Sequence, residues 1–308
     1  MAPGTLTLDL GTSPDLEIAP MSTLLVTGAR GNIGSRVVDR LAKSGARIRV
    51  LLRQPGTPAI DRPSVEIIRG SYDDTAAVSA AMAGVSRALF ITAGPELARH
   101  DGALGAAAKS AGVEHIVKLS VLGADRGGSE IPSWHRDGEQ RIAATGLATT
   151  FLRPGSFASN ARGWAATLRA AGKAFGALGA AALPVIHPDD IADVAVAALT
   201  QSGHAGKAYE ITGPEPLTAA DQIAILGEVA GRRFEYVNVD DDTAVRGMID
   251  GGMPRAMADA MIHLIQALRA AGRLPPTELV PQLLGRPART FRQWAIDNAA
   301  LFQGKAAP

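Results

Sequence analysis

Residues 24–43 most constrain the fold, because a short apolar strand, a glycine-rich turn and a helix follow one another directly. The strand is Leu24–Thr27 and the helix is Ile33–Lys43. Glycines permit a tight turn and close backbone approach, and a helix N-terminus presents free N–H groups to an anion. The spacing is G-x-x-G-x-x-G rather than G-x-G-x-x-G, so an ordinary strand–helix turn is the alternative. The order of the elements favours a turn that holds a dinucleotide through Gly28, Arg30, Gly31, Asn32, Ile33 and Gly34.

Short β-rich runs and helical stretches alternate after this turn, which is typical of a parallel sheet with crossover helices. The predicted strands are Leu24–Thr27, Ile48–Leu52, Val65–Ile68, Ala88–Thr92, His115–Leu119 and Thr149–Leu152. The predicted helices between them are Ile33–Lys43, Thr75–Ala83, Leu97–Ala111 and Trp134–Thr145. The pattern predicts an α/β fold with a Rossmann-type doubly wound parallel sheet.

The remaining chain divides into a leader and a second lobe. Residues 1–20 contain three prolines and no basic residue, which indicates a mobile leader. Alternatively, the alternating Thr5–Leu10 forms an edge strand that pairs with another chain. We expect residues 21–157 to form the NAD(P)-binding Rossmann domain. Residues 158–308 are expected to form a small, mostly helical C-terminal substrate lobe, from which a segment of about 182–212 returns to the Rossmann domain.

Secondary structure in this second part is predicted from the same signals. The predicted helices are Pro188–Thr200, Ala219–Ala230, Met253–Ala271, Glu278–Leu284 and Thr290–Leu301, and the predicted strands are Ala208–Thr212 and Phe234–Val239. Thr218 with Asp221 three residues later predicts a capping box at the second helix. The glycine- and alanine-rich stretch Gly172–Leu183 is expected to be a mobile flap over a substrate pocket.

The end of the second strand bears on which dinucleotide is bound. An NAD site places an acidic residue there to bond the ribose 2′-hydroxyl, whereas this chain has Arg53 and no acidic residue between Leu41 and Ile60. Arg53 and Arg30 together match a 2′-phosphate, which predicts NADP(H). The alternative is that both are solvated surface arginines.

The ends of the third and fourth strands lie at the same edge of the predicted sheet, where a dinucleotide binds. We expect Ser71 to approach the adenine, and Ala93 and Gly94 to approach the ribose. Each segment is alternatively only a turn.

Composition excludes several other classes of function. The chain has no cysteine, which excludes disulfides, thiolate nucleophiles and cysteine-ligated metal centres. Its 31 basic and 30 acidic side chains give a net charge of +1, which offers no field for nucleic acid. The six histidines show no metal-ligand spacing, so no metal site is expected. The longest uncharged apolar stretch, Ala174–Ile186, is shorter than the ~20 residues of a membrane span. The N-terminus has no basic region of a signal peptide, so a cytoplasmic protein without a membrane partner is expected.

Two further motif interpretations concern charged residues. Asp189 and Asp190 are expected to cap the helix that begins at Pro188, because adjacent carboxylates point apart and make a poor acid/base pair. The cluster of Arg286, Arg289 and Arg292 is interpreted as a solvated helix start. A hydrolase is not supported, because Ser120 does not lie in a G-x-S-x-G turn.

Several motifs together resemble the NmrA-like branch of the atypical short-chain dehydrogenases. They extend from about Met21 to Leu301 and comprise Thr27–Gly34, Lys118–Ser120, Trp134 and His135 with Glu139, Thr150–Gly155 with Phe157 and Asn160, His187–Ala192, and Tyr209–Pro214. The resemblance implies a Rossmann domain with a small C-terminal lobe and NADP(H) binding. Members of this branch either reduce quinones and related acceptors or sense the nicotinamide cofactor.

The resemblance also exposes one departure. Ordinary short-chain dehydrogenases place a tyrosine four residues before a lysine, which lowers the tyrosine pKa for proton transfer. None of Tyr72, Tyr209 and Tyr236 has a lysine at that spacing. In the corresponding helix, His135 and Glu139 stand one turn apart, where they are expected to pair. This pair serves either in proton transfer or only in fixing the helix against the sheet.

The remaining site residues follow from the same comparison. Ser120, at the end of the fifth strand, projects toward the expected nicotinamide position, and Lys118 shares its strand face and is assigned to cofactor binding. The predicted catalytic residues are therefore His135, Ser120 and Glu139. Pro154, Gly155 and Phe157 are expected to wall the nicotinamide, and Asn160 to bond the substrate.

The sequence therefore predicts an NADPH-dependent oxidoreductase that passes hydride to a quinone or another conjugated carbonyl acceptor. Two alternatives stay open. One is a sensor that binds NADP(H) without turnover and regulates a protein partner, and the other is an isomerase or lyase on the same fold. The expected partner is a small-molecule acceptor, and the sequence leaves a homodimer open.

Overall fold

A seven-stranded parallel sheet forms the centre of the structure. The computed structural model describes residues 22–52, 60 and 62–303, so the predicted leader and Arg53 lie outside the described residues. The strands are ordered β3-β2-β1-β4-β5-β6-β9 in the sheet. They are β1 (Thr23–Thr27), β2 (Arg47–Leu52), β3 (Val65–Arg69), β4 (Val85–Phe90), β5 (His115–Leu119), β6 (Ala148–Pro154) and β9 (Lys207–Ile211). This order confirms the doubly wound Rossmann-type fold, with a topological switch between β1 and β4.

Helices cover both faces of this sheet. They are α1 (Gly34–Lys43), α2 (Thr75–Met82), α3 (Leu97–Ser110), α4 (Glu130–Ala143), α5 (Ala165–Ala171), α6 (Pro188–Thr200), α7 (Ala219–Ala230), α8 (Asp241–Asp250), α9 (Arg255–Ala271), α10 (Leu279–Leu284) and α11 (Phe291–Asp297). The buried residues of α1, α6 and α10 belong to one hydrophobic cluster, which contains Leu41 and Ile191. Those of α2, α3 and α4 belong to another, which contains Met82, Leu104 and Ile142. The sheet is therefore sandwiched between two helical layers.

A third cluster forms the core of the C-terminal part. It is built around Phe291, Trp294 and Phe302, and it includes residues of α5, α7 and the 3-10 helix Ala158–Trp164. A second 3-10 helix, Ala299–Leu301, follows α11. Strand β9, which belongs to residues 158–308, lies beside β6 in the same sheet as the strands of residues 21–157. The predicted boundary between the two domains stays a prediction.

The predicted flap Gly172–Leu183 is anchored by strand pairing rather than lying free over the protein. Its first part, β7 (Lys173–Gly176), pairs in parallel with β11 (Glu235–Asn238). Its end belongs to β8 (Leu183–Pro184), which pairs with β10 (Pro216–Leu217). Ala177 and Ala181 between them are buried. The small side chains of this segment let it pack closely against the protein. Its glycine and alanine content is therefore explained by close packing as well as by a loop conformation.

Helix capping follows the sequence in one case and departs from it in another. Thr218 and Asp221 form both hydrogen bonds of the predicted capping box at α7. At α6, however, the prediction that Asp189 and Asp190 cap the helix is wrong. The Nδ1 atom of His187 accepts a hydrogen bond from the Asp189 N–H at 3.1 Å, which satisfies one of the free donors at the helix start. The two carboxylates are thereby released for ion pairs.

An ion-pair network joins α1, α6 and the segment before α11. Asp190 is fully buried, and its carboxylate contacts Arg286 at 2.7 Å and Arg289 at 2.5 Å. Asp193 contacts Arg40 of α1 at 2.5 Å and also contacts both of these arginines. The interpretation of Arg286 and Arg289 as solvated is therefore wrong, because a buried carboxylate requires charged or hydrogen-bonding partners.

Among the helices that the structure describes, none combines the length and the apolar composition that a membrane crossing needs.

Candidate active site

A cavity of about 680 Å³ lies at the carboxyl edge of the sheet, over β1, β2, β3 and β4. It is lined by the β1–α1 turn, the end of β2 and the segments after β3 and β4. The lining residues are Gly28, Ala29, Arg30, Gly31, Leu51, Leu52, Ser71, Tyr72, Ile91, Thr92, Ala93 and His100. Gly28, Arg30, Gly31, Ser71 and Ala93 were predicted from the sequence to bind the cofactor. This edge, beside the β1/β4 switch, is where dinucleotides bind in doubly wound sheets.

Two glycines of the turn are required by close packing. Gly28 has a φ of +61°, and a Cβ there would lie 2.9 Å from the Cβ of Ile91. A Cβ on Gly34 would lie 2.2 Å from the carbonyl oxygen of Gly28. At Gly31 the corresponding distance to this oxygen is 3.1 Å. No side chain fits at Gly28 or Gly34, so the turn packs closely against Ile91 and the start of α1, as is typical of a phosphate-binding turn.

Asn32 and Ile33 hold this turn in place rather than line the cavity. Asn32 Nδ2 donates a hydrogen bond to Ser159 Oγ at 2.7 Å, and Arg36 donates to both the backbone and side-chain oxygens of Asn32. Ile33 is buried in the core beneath α1. The bond to Ser159 ties the turn to the 3-10 helix Ala158–Trp164. The prediction that Asn32 and Ile33 contact the cofactor therefore stays a prediction.

Lys118 lies beneath the cavity in a fully buried ion pair. Its Nζ donates to Thr92 Oγ1 at 2.6 Å and lies 3.1 Å from Asp101 Oδ2. Thr92 Oγ1 in turn donates to Asp101 Oδ1 at 2.8 Å. Burial lowers the pKa of Lys118 and raises the pKa of Asp101, and their mutual attraction opposes both effects. Thr92 is the member of this group that lines the cavity, so Lys118 reaches it through the threonine hydroxyl.

Ser120 Oγ and His135 Nδ1 are enclosed polar atoms that have no hydrogen-bond partner among the described residues. Ser120 follows β5 and is buried, and its Oγ has no hydrogen-bond partner among the described residues. The same holds for His135 Nδ1 on α4. Burial, with a contribution from the charge of Lys118, lowers the pKa of His135 to about 3. Its imidazole is therefore neutral at pH 7. Neither Ser120 nor His135 is among the lining residues of this cavity or of the second cavity described below, so their assignment as catalytic residues stays a prediction.

The expected pairing of His135 with Glu139 is wrong, because Arg153 of β6 occupies the carboxylate. Arg153 Nε and a terminal nitrogen donate to the two oxygens of Glu139 at 3.0 and 2.6 Å. The Glu139 pair raises the pKa of Arg153. A bidentate guanidinium–carboxylate pair is stronger than a contact with a neutral imidazole. Glu139 consequently fixes α4 to β6, and its assignment as a catalytic residue stays a prediction.

A second cavity, of about 400 Å³, lies beyond the ends of β5 and β6. Pro154, Gly155, Phe157 and Asn160, all predicted from the sequence, line its near wall. Gly94, by contrast, is not among the lining residues of either cavity and follows Ala93 with a φ of +87°. Asn160 is exposed, and its Nδ2 donates to Ser156 Oγ at 3.4 Å.

Residues that the sequence reading missed form the other walls of the second cavity. Helix α9 contributes Met261, Leu264, Ile265 and Leu268, whose spacing is that of one helical face. The remaining lining residues are Val121, Leu122, Ser156, Trp164, Leu178, Leu183, Pro184, Gln222 and Leu274. The sequence of α9 shows an apolar stripe, but it does not show that this stripe lines a cavity, because such a stripe usually packs into a core.

Three residues that line the first cavity were not predicted, because no motif in the sequence marks them. Thr92, Tyr72 and His100 line it, and the rings of Tyr72 and His100 make an edge contact with centroids 5.3 Å apart. Asp73 forms an ion pair with Arg99 beside them. In the described residues, no group of histidine and acidic side chains could hold a metal ion.

The two cavities occupy successive halves of one sheet edge, a polar one over the glycine turn and an apolar one beyond β5 and β6. This arrangement fits an NAD(P)H-dependent oxidoreductase on a Rossmann-type sheet.

Comparison with known proteins places this enzyme more narrowly. The sequence pattern of the NmrA-like family matches residues 20–293. A (4-alkanoyl-5-oxo-2,5-dihydrofuran-3-yl)methyl phosphate reductase from Streptomyces griseus is 38% identical over 283 residues, which cover 91% of this chain and 99% of the relative. An NAD(P)H azoreductase from Xenophilus azovorans is 34% identical over 282 residues, with coverage of 91% and 99%. The chain belongs to the NmrA-like family.

Solved structures agree with this assignment. The NADPH complex of the NADPH-dependent quinone oxidoreductase QOR2 from Escherichia coli superimposes with a TM-score of 0.80 at 26% sequence identity. The match covers 89% of this chain and 99% of that structure. A mutant of NmrA itself, at 17% identity and a TM-score of 0.74, shows the same fold.

Proposed function

We propose that the protein is an NADPH-dependent reductase that transfers hydride to a quinone or another conjugated carbonyl acceptor. The observation that carries the proposal is the succession of the two cavities along the carboxyl edge of the sheet. The first has glycine backbone, an arginine and hydroxyl groups on its walls, whereas the second is lined mainly by apolar side chains. A dinucleotide placed over the β1/β4 switch directs its reactive end from the first cavity toward the second.

The first cavity fits a dinucleotide phosphate. Gly28 and Gly34 leave no room for a Cβ, so the turn keeps the close backbone packing of a phosphate-binding turn, and the N-terminus of α1 favours an anion. Arg30 adds a positive charge, and none of the lining residues in the described chain is acidic. This absence of a carboxylate, with Arg53 following β2 in the sequence, supports NADPH over NADH.

Two residues that line neither cavity, Ser120 and His135, are assigned in this proposal to the reacting end of the cofactor. When bound, nicotinamide supplies the hydride. Ser120 Oγ and His135 Nδ1, both without protein partners in the described chain, supply hydrogen-bonding groups that orient the carboxamide or the acceptor oxygen. The neutral imidazole of His135 is a weak acid, which suits an acceptor already polarised by a second carbonyl.

The named relatives support a reductase with a conjugated acceptor. The Escherichia coli enzyme is named for quinones, and the Streptomyces griseus enzyme for a dihydrofuran that carries oxo and alkanoyl groups. The Xenophilus azovorans enzyme is named for azo compounds. The quinone assignment depends on the relative with lower identity, 26%.

A titration with subsequent turnover tests the proposal. NADPH and NADH are titrated into purified protein, and 1,4-naphthoquinone is then added while the absorbance of the reduced cofactor is followed. We expect tighter binding of NADPH and quinone-dependent oxidation. Tight NADPH binding without oxidation, across quinones and azo acceptors, would contradict the reductase and indicate a cofactor sensor instead.

A further inference from the structure

Gln222 stands apart from the other polar side chains of the second cavity. It lies in the first turns of α7, is 5% exposed and lines the cavity, and its carboxamide makes no hydrogen bond to another described residue. Its neighbours Ile223 and Leu226 are packed in the C-terminal core, which fixes the helix. Its amide atoms are not among the fully enclosed atoms without a partner, so the carboxamide is accessible from the cavity and available to a molecule bound there.

The other walls offer little competing polarity. Asn160 is exposed and already contacts Ser156, and the four residues from α9 are apolar. None of the lining residues that the structure describes carries a charge. A charged group on the acceptor would therefore lose its hydration without gaining an ion pair.

We infer that Gln222 is an acceptor-binding residue, whose Nε2 donates a hydrogen bond to a carbonyl oxygen of an uncharged, largely apolar acceptor in the second cavity. The inference rests on the proposed reductase function and extends it to a residue and a substrate class. The cavity volume of about 400 Å³ suits a bicyclic quinone. The same uncharged lining predicts weak binding of the phosphate ester for which the Streptomyces griseus relative is named, because no described lining residue offers a compensating charge.

Replacement of Gln222 by leucine tests the hydrogen bond. Gln222→Leu keeps the approximate volume and removes the donor, and Gln140→Leu on the exposed face of α4 is the matched control. We expect the KM for 1,4-naphthoquinone to rise about 3- to 10-fold, the usual effect of one hydrogen bond between neutral groups. The KM for NADPH and the thermal unfolding midpoint stay at wild-type values. A purely structural role would change these last two quantities instead.

Replacement by glutamate supplies a second, independent readout. Burial in the apolar cavity raises the pKa of a new carboxyl group, and only its protonated form can donate a hydrogen bond. In Gln222→Glu, the KM for naphthoquinone is therefore near the wild-type value at low pH and rises with pH. Wild type and Gln140→Glu show no such dependence. A KM that does not change with pH in Gln222→Glu would overturn the assignment.

A pair of quinones tests the substrate class. The methyl ester and the free carboxylate of the same quinone are compared in the wild-type enzyme, and we expect a KM at least about 10-fold higher for the carboxylate. Equal KM values would overturn the uncharged class.

Binding measured without turnover separates this inference from the proposed function. Quenching of the tryptophan fluorescence of the protein, to which Trp164 in a wall of the cavity contributes, reports the naphthoquinone Kd in the presence of NADP⁺. If no acceptor is reduced but the Kd rises about 3- to 10-fold in Gln222→Leu, the reductase proposal fails and the binding role of Gln222 stands. If turnover occurs and neither Kd nor KM changes in Gln222→Leu, the role of Gln222 fails and the reductase stands.

Discussion

Replacing Gly34 by alanine should damage both stability and cofactor binding, because the added methyl group has no space. A Cβ at this position would lie 2.2 Å from the Gly28 oxygen, 2.7 Å from the Gly28 carbonyl carbon and 2.9 Å from the Ala29 Cα. All three atoms belong to the backbone, so no side chain can rotate away. Since ordinary contacts begin at 3.4 Å, the turn and α1 must separate by about 1 Å.

The magnitude follows from this overlap. Overpacking of a tightly packed site costs about 1–3 kcal/mol, and the rigid backbone places Gly34→Ala in the upper part of that range. With about 2–4 °C of Tm per kcal/mol, a loss of about 2–3 kcal/mol lowers Tm by roughly 4–12 °C. The same shift moves the N–H groups that face the cavity, so we expect the Kd for NADPH to rise on the order of 10-fold or more.

Gly247→Ala is the matched control. Gly247 lies within α8, is exposed, and has nothing within 4 Å of an added Cβ. Alanine there should stabilise the protein by about 1 kcal/mol, because glycine is the poorer helix former, and leave NADPH binding unchanged. Thermal unfolding and NADPH titration of the two variants provide the measurements. Wild-type Tm and NADPH affinity in Gly34→Ala would refute the reasoning.

Three further predictions concern charge. Arg53→Glu should raise the Kd for NADPH about 10- to 100-fold relative to the Kd for NADH, because it removes a charged hydrogen bond. The control Arg47→Glu, at the other end of β2, should change neither Kd. An equal loss of affinity for both cofactors in Arg53→Glu would refute the 2′-phosphate assignment. Asp101→Asn leaves a buried ammonium unpaired and should reduce the free energy of unfolding by about 3–5 kcal/mol in urea titrations, and a loss below about 1 kcal/mol would show that the pair is not buried in solution. Burial lowers the pKa of His115 to about 4 and of His135 to about 3, from 6.5 in the unfolded chain, so the unfolded state takes up protons first as pH falls. The free energy of unfolding is therefore highest above about pH 6.5 and decreases toward about pH 4, by up to about 1.4 kcal/mol per pH unit for each histidine. In His135→Gln this decrease with pH should be shallower. The same pH dependence in wild type and His135→Gln would contradict the burial of His135.

The strands of the sheet could be predicted from the sequence because each combines a short apolar run with a nearby glycine. β5 begins and ends at the predicted residues, His115 and Leu119. Helix α4 begins at Glu130 rather than Trp134, since Pro132 is tolerated in the first turn of a helix and does not delay its start. Helix α8 was not predicted because its apolar stripe is short, comprising Val245, Met248 and Ile249, and none of its residues is fully buried.

The candidate site was predictable where backbone conformation dictates the residue type. Gly28 and Gly34 could be identified because no side chain fits at either position. The partners of Glu139 and Lys118 could not, because Arg153 and Asp101 come from other elements, 14 and 17 residues away. A contact of this kind depends on how the layers pack, and local spacing does not encode it.

The ion pairs of Asp190 and Asp193 have a consequence for protein engineering. They bind α6 to Arg40 in the first lobe and to Arg286 and Arg289 near the end of the chain. A chimera that exchanged only the chain after α6 for that of a relative without arginines at positions 286 and 289 would leave Asp190 buried without its guanidinium partners. The exchangeable unit must therefore include α6 together with the surface of α1 that it contacts, and a crossover point within residues 188–200 would divide one electrostatic cluster between two parents.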